Sequence, residues 1–156
     1  MIKLYTTHFF LLLCFILPRL LLAQPANDEC ANAIVLTELN DWCSSNGEFT
    51  NQNAGPSGFG GASCFSSFGS DVWFSFVATA TDVVIVVEGA TTVAPGGTLR
   101  SPEATLYLGD CAGTINEQIC GSDNSNGNII DIYKGGLSIG ETYLIRVRGR
   151  ENNQGT

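Results

Sequence analysis

Two neighbouring apolar stretches constrain the fold more than any other part of the sequence. In residues 71–77, Val72, Phe74 and Phe76 alternate with the residues between them. Residues 83–87 are β-branched throughout. Strict alternation is typical of a half-buried strand, and a continuous β-branched run is typical of a central strand covered on both faces. Because only a polar turn separates the two stretches, we expect a hairpin over residues 71–88.

Shorter strands are predicted along the rest of the chain. The clearest are residues 103–108, 129–133 and 142–147, and Gly, Ser, Thr and Asn dominate between the apolar runs. Strands of this length at intervals of about ten residues are typical of sandwiches. The sequence therefore predicts an all-β, jelly-roll-like antiparallel β-sandwich of about seven to eight strands, stapled by disulfides.

The last predicted strand also carries a prediction about exposure. Tyr143, Ile145 and Val147 fall on one face of it, and we expect that face to point into the core. Arg146 and Arg148 fall on the opposite face. Since charged side chains are usually exposed, we expect both arginines to face solvent.

The N-terminus has the layout of a secretory signal peptide. Lys3 precedes an apolar run over residues 9–17, which Pro18 and Arg19 interrupt ahead of Ala23. A membrane anchor is the alternative, but a spanning helix needs about 20 apolar residues. We expect a signal peptide over residues 1–23 and a single domain over 24–156, secreted or on the outer cell surface, with no transmembrane segment in the mature chain.

Charge and histidine content exclude several functions for this mature domain. It keeps five basic residues and all 15 acidic ones, so its net charge is −10. Such a surface repels phosphate backbones, and no nucleic-acid partner is expected. The single histidine, His8, lies in the leader. Catalytic triads and histidine-based zinc sites are therefore excluded, and we expect no enzyme activity.

Five cysteines follow the leader, an odd number for a disulfide framework. In an exported chain they are expected to pair, and 15 arrangements of two bonds are open. We favour Cys111 with Cys120, which bracket a short segment, and then Cys43 with Cys64. Cys30 is left without a partner in this interpretation.

A loop rich in asparagine is the candidate cation site. Calcium prefers oxygen ligands on a turning backbone, so calcium is the one possible cofactor. A plain solvated turn is the alternative, because no Glu closes an EF-hand pattern. The oxygen donors that could contribute are Asp123, Asn124, Asn126, Asn128 and Asp131.

Aromatic and acidic side chains supply two further hypotheses. Exposed rings could stack on sugars, although core packing explains most of them as well; the eligible residues are Trp42, Phe59, Tyr107 and Tyr133. A glycosidase would need two facing carboxylates in a cleft. The sequence places none of its acids so, and Asp71, Glu88, Glu103 and Asp110 are expected at turns and strand ends.

Four segments together resemble a known family. Residues 27–34 (NDECANAI), 71–76 (DVWFSF), 106–109 (LYLG, with Cys111 beyond) and 140–147 (GETYLIRV) cover most of the mature chain. They resemble the β-sandwich repeats of secreted and cell-surface proteins of Bacteroidetes, which are similar to bacterial pre-peptidase C-terminal domains.

The resemblance implies a function and a boundary. It implies a non-catalytic adhesion, binding or spacer module of a larger cell-surface protein, whose partners are other domains of the same polypeptide or extracellular glycans and proteins. The alternative is an accessory or carbohydrate-binding domain of a secreted hydrolase. Family members have a further cysteine-bearing strand, so the resemblance also implies that this chain is an N-terminal fragment and that Cys30 or another cysteine pairs with that strand.

Overall fold

A computed structural model describes residues 23–91 and 97–156, in which seven strands account for most of the regular structure. The predicted signal peptide lies outside these residues except for Ala23. The strands are β1 (Ile34–Val35), β2 (Asp71–Val77), β3 (Asp82–Glu88), β4 (Pro102–Leu108), β5 (Asn116–Ser122), β6 (Ile129–Gly135) and β7 (Thr142–Gly149). Two single-turn 3-10 helices, Cys30–Asn32 and Arg150–Asn152, complete them. Neither helix nor any other within the described ranges is long and apolar enough to cross a bilayer.

Five of the strands form one sheet in the order β1-β2-β7-β4-β5. All its pairs are antiparallel except β1 with β2. β7 lies at the centre and pairs along its whole length with β2 on one side and β4 on the other. The remaining strands, β3 and β6, form a separate antiparallel pair that lies over β4 and β5.

The core lies between the two sheets. The five-stranded sheet contributes the alternating residues Val72, Phe74 and Phe76 of β2, Ala104 and Leu106 of β4, and Tyr143, Ile145 and Val147 of β7. Ile130 and Ile132 of β6 close the core from the other side. This confirms the predicted all-β sandwich, and it confirms the inward face of the last strand.

The predicted hairpin over residues 71–88 is wrong, although both of its strands exist. β2 pairs with β7 and β3 pairs with β6, so the turn between them carries the chain from one sheet to the other. An arch of this kind lets both strands present an apolar face to the same core. A hairpin would have kept both strands in one sheet.

The prediction that residues 83–87 form a central strand is also wrong. β3 has β6 as its one partner strand in the described part of the chain, and its outer side chains are exposed. Val84 and Val86 retain 62% and 53% of their accessible surface. The β-branched run therefore forms an edge strand that is covered on one face.

Candidate functional site

The face of the five-stranded sheet that points away from the core carries most of the buried charge. Arg146 and Arg148 of β7 are 1% and 0% exposed, so the prediction that they face solvent is wrong. Asp71 of β2 and Glu103 of β4 are fully buried beside them. We call these four residues the charged layer. It is buried because residues 55–70, the outer loop, cover this face.

Within the charged layer, Arg146 bonds to Asp71 and to the outer loop, although its Nε has no hydrogen-bond partner. Its Nη2 lies 2.6 Å from Oδ2 of Asp71, and its Nη1 donates to the carbonyl of Gly60 in the outer loop at 2.8 Å. Its guanidinium carbon lies 5.1 Å from the ring centre of Phe65 and 5.3 Å from that of Trp73. The charge is thus paired with a carboxylate and held between two aromatic rings, which compensates for its loss of solvent.

The ion pair of Arg148 is longer than that of Arg146. Its Nε lies 3.2 Å from Oε2 of Glu103, but that oxygen receives no well-directed hydrogen bond. The guanidinium also donates to the carbonyl and hydroxyl oxygens of Ser67 in the outer loop. Burial lowers the pKa of Arg148, while the carboxylates of Glu103 and Asp71 act to raise it. An arginine stays protonated in this setting, so the layer keeps its charge.

Two disulfides hold the segments around this face, and their pairing differs from the prediction. Cys30 bonds to Cys111 and Cys64 bonds to Cys120, while Cys43 is free and exposed. The favoured Cys111–Cys120 bond is wrong because β5 carries Cys120 away along β4, where it pairs with Thr105. Cys120 lies four residue steps along β5 from its start at Asn116, which is about 13 Å.

The other favoured pair, Cys43 with Cys64, is wrong for a topological reason. Cys64 belongs to the outer loop, whereas Cys43 lines a cavity on the core-facing side of the five-stranded sheet, to which Phe74 also contributes. A sheet with buried faces separates the two thiols. Cys30, which we expected to be unpaired, is instead 3% exposed and bonded.

Peptide mapping of the purified protein tests this pairing. Under non-reducing conditions we expect peptides that join Cys30 to Cys111 and Cys64 to Cys120. Iodoacetamide added before unfolding should label Cys43 alone among the five, because disulfide sulfurs do not react with it. A peptide that joins Cys111 to Cys120 would contradict the structure.

The asparagine-rich loop is organised around Asp123, which is buried. Its Oδ1 accepts hydrogen bonds from the backbone and hydroxyl of Ser125 at 2.8 and 2.7 Å, and its Oδ2 accepts one from the backbone of Asn128 at 2.8 Å. Burial acts to raise the pKa of Asp123, but these hydrogen bonds outweigh it and the pKa is lowered. The carboxylate therefore acts as the internal cap of the loop.

The other predicted calcium ligands do not converge on Asp123. Asn128 donates to the carbonyl of Ala90 and accepts from the backbone of Ser101, which ties the loop to its neighbours. Asn124 accepts from Arg150, and Asn126 and Asp131 are exposed. In the described ranges, no three His, Cys, Asp or Glu side chains are grouped to hold a metal ion. Calcium binding here remains a prediction from the sequence.

The capping role of Asp123 predicts a pH-dependent loss of stability. We expect Asp123→Ala to lower the free energy of unfolding by about 1–3 kcal/mol at pH 7, because three donors lose their acceptor. A carboxyl whose pKa is depressed by folding stabilises the fold above its unfolded pKa, and that contribution disappears as the pH falls through its folded value. The difference from wild type should therefore shrink below about pH 4.

Urea unfolding at pH 7 and pH 3 measures this difference. Asp131→Ala is the matched control, since Asp131 is an exposed acid on the neighbouring strand β6. It should change the free energy of unfolding by less than about 0.5 kcal/mol at both pH values. Equal effects of the two substitutions at pH 7 would show that Asp123 does not cap the loop.

The four aromatic residues considered as a sugar platform do not form one surface. Tyr107 is buried and stacks on Trp73 at 6.0 Å, with Phe59 on the same indole at 5.4 Å. Trp42 lies on the other side of the sheet, tilted against Phe49, and Tyr133 is exposed on β6. Core packing therefore accounts for Tyr107, and Trp42 and Tyr133 are the exposed rings.

The four acidic residues considered for catalysis are also dispersed. Asp71 and Glu103 belong to the charged layer beneath the outer loop. Glu88 ends β3 on the smaller sheet, and Asp110 is exposed beyond β4, where its Oδ1 accepts from the backbone of Ala112. The two that lie closest in the fold each face an arginine, which favours a structural role for them.

A groove of about 940 Å³ lies on the core side of the five-stranded sheet. Its floor is formed by β2 and β7, and β3 forms one wall. Residues 36–50, which contain no strand, lie over it as a mostly exposed cover. It exists because the two-stranded sheet lies over β4 and β5, and within residues 23–91 and 97–156 no strand faces the β2 and β7 half of the larger sheet. Sequence patterns missed it, since no local signal shows which strands face each other.

Comparisons of the chain with protein-family models, with curated proteins and with solved structures find no match. The class of the protein therefore rests on its own geometry. It is an all-β sandwich with two disulfides, a type of cross-link that proteins form in oxidising compartments.

Proposed function

We propose that this protein is a secreted, non-catalytic binding or spacer module of a bacterial cell-surface protein. The charged layer supports this proposal most directly. The charged side chains of this layer, two arginines and two carboxylates, form ion pairs with each other. They lie under a loop that Cys64 attaches to the sheet. Pairing these charges rigidifies the domain and places the four side chains beneath a loop, where no substrate contacts them.

The cross-linking pattern suits a module that stays folded outside the cell. The disulfides join residues 81 and 56 positions apart, and each has at least one cysteine outside the strands, since of the four only Cys120 lies in a strand. Long closed loops restrict the unfolded chain strongly, so each bond contributes to stability. A spacer or adhesion module needs this resistance, because it has no cytosolic chaperones around it.

Surface labelling of intact cells of the source organism tests the location. An antibody against the purified module should stain intact cells or detect the protein in the medium, and the four paired cysteines should resist alkylation there. Recovery from the cytosolic fraction with reduced cysteines would overturn the proposal.

The sequence of the natural polypeptide separates the two forms of the proposal. Mass-spectrometric sequencing of the polypeptide that the same antibody captures should find further repeats or a sorting segment if the module is a spacer. A polypeptide with a zinc-protease or glycosidase motif would favour the alternative, an accessory domain of a secreted hydrolase. The isolated module should hydrolyse no peptide, ester or glycoside substrate faster than its Asp71→Asn variant does.

A further inference from the structure

We propose that the groove binds an extended, positively charged peptide segment of another polypeptide, which adds as a strand to the free edge of β3. This inference rests on the proposed binding role and names its partner class. Four features of the described residues support it: the unpaired edge, the apolar floor, the acidic rim and the exposed outer valines.

The edge of β3 that faces away from β6 has backbone groups that a further strand could pair with. In an antiparallel pair, alternate residues direct their backbone N–H and C=O groups away from the partner strand. β3 pairs with β6 without a bulge, so along residues 83–87 these groups point toward the groove. Edges are protected by lysine, proline, bulges, inward charges or a covering loop. Residues 83–87 have none of the first four, and the loop of residues 36–50 lines the same groove.

The floor of the groove sets the side-chain pattern of the peptide. It consists of large apolar side chains from β2, β7 and the flanking loops, namely Phe74, Phe76, Leu99, Leu137, Ile145 and Val147. Each keeps 9% or less of its accessible surface, so the peptide reaches this floor by displacing part of the cover that residues 36–50 form. A strand beside β3 directs every second side chain toward this floor. The peptide must therefore carry apolar residues at alternate positions.

The rim of the groove sets the charge of the peptide. Five acidic residues line it, and in the described ranges no lysine or arginine does; the acids are Glu38, Asp41, Glu48, Asp82 and Glu88. Asp82 and Glu88 lie at the two ends of β3. A strand with lysine or arginine at its ends would place positive charge beside both. A second copy of this chain, itself strongly acidic, would be repelled.

The outer face of β3 indicates the remaining positions of the peptide. Val84 and Val86 are exposed there, opposite Tyr133 and Asp131 of β6. β-branched residues pair favourably across strands, so threonine or valine at the outward positions of the peptide would cover them. The bound segment then matches the seven residues of β3 in length.

The probe is a fluorescent peptide of about eight residues with the sequence lysine, threonine, phenylalanine, threonine, leucine, threonine, valine, lysine. It is titrated into the purified protein with Cys43→Ser, so that no thiol chemistry contributes. Anisotropy gives the affinity, and hydrogen exchange shows which backbone amides the peptide protects.

We expect protection of amides in residues 83–87 and little change in β5. A peptide with glutamate at both ends should bind at least about tenfold more weakly. A peptide N-methylated at alternate residues should lose binding by a similar factor, because it cannot donate to the edge of β3.

A matched pair of protein variants tests the edge itself. Val86→Lys places a charge on the exposed face, where Asp131 lies opposite as a cross-strand partner, so the fold is preserved. Because edge lysines discourage further pairing, it should weaken binding at least about fivefold relative to Val86→Thr. Equal affinities for the two variants would overturn the proposal.

Three other results would also overturn it. They are protection confined to another strand, self-association of the protein through β3, and binding of an apolar dye in the groove that the peptide does not displace. The outcome is separable from that of the proposed function. Absence of peptide binding in an exported, surface-located protein refutes the groove assignment alone, whereas a cytosolic location refutes the proposed function and leaves the peptide titration unaffected.

Discussion

Arg146→Met should lower the free energy of unfolding by about 3–5 kcal/mol, which is among the largest effects we expect from a single substitution in this protein. Methionine fills much of the same volume between the rings of Phe65 and Trp73, so the cost is mainly electrostatic. The substitution leaves the fully buried carboxylate of Asp71 without its cation. Urea unfolding at pH 7, followed by tryptophan fluorescence, measures the change.

Two further variants separate the ion pair from general disruption. Arg150→Met removes a partly exposed arginine that bonds to Asn124 at 3.2 Å, and it should cost less than about 1 kcal/mol. Asp71→Asn combined with Arg146→Met removes both charges and keeps an acceptor for the indole N–H of Trp73. The double variant should therefore be more stable than the sum of the single effects implies, by at least about 1 kcal/mol. Additive effects would show that the two charges do not interact.

The local features of the fold could be predicted from the sequence because alternation acts over a few residues. The inward face of β7 follows from the spacing of Tyr143, Ile145 and Val147, and the structure confirms it. The same spacing places Arg146 and Arg148 on the opposite face, which is also correct. The prediction that these arginines are exposed was wrong, because the outer loop covers that face. This loop precedes them in the chain by about 80 residues.

Features that depend on pairing between distant segments could not be predicted. The β-branched run of β3 has the composition of a central strand, but its position is decided by which strands reach it. β5 was missed for a related reason. Residues 116–122 are mostly polar, and they become a strand because β4 provides a partner for them. The location of Cys120 in that strand then determines which thiol it can reach.

Removing the Cys64–Cys120 bond, as Cys64→Ala with Cys120→Ala, should lower the free energy of unfolding by about 4 kcal/mol. That figure is the chain-entropy value for a loop closed over 56 positions. The paired thiols also fasten the outer loop, and Thr105 contacts Cys120 from β4 at 3.0 Å. Thermal and urea unfolding of the double variant measure the loss. Cys43→Ser is the matched control and should have little effect, because that thiol is exposed and unpaired.

The stability effects of Arg146→Met and of removing the Cys64–Cys120 bond should be coupled. This coupling tests whether the outer loop buries the charged layer. Without the Cys64–Cys120 bond, the loop that carries Gly60 and Ser67 is attached only by its own contacts, and water can reach Arg146 and Asp71 when it opens. A solvated pair is worth much less than a buried one, since a lone carboxylate in water needs no cation. Arg146→Met should therefore cost at least about 1 kcal/mol less in the disulfide-free background than in the wild type. An equal cost in both backgrounds would mean that the loop stays closed without its cross-link and that the sheet alone buries the charges.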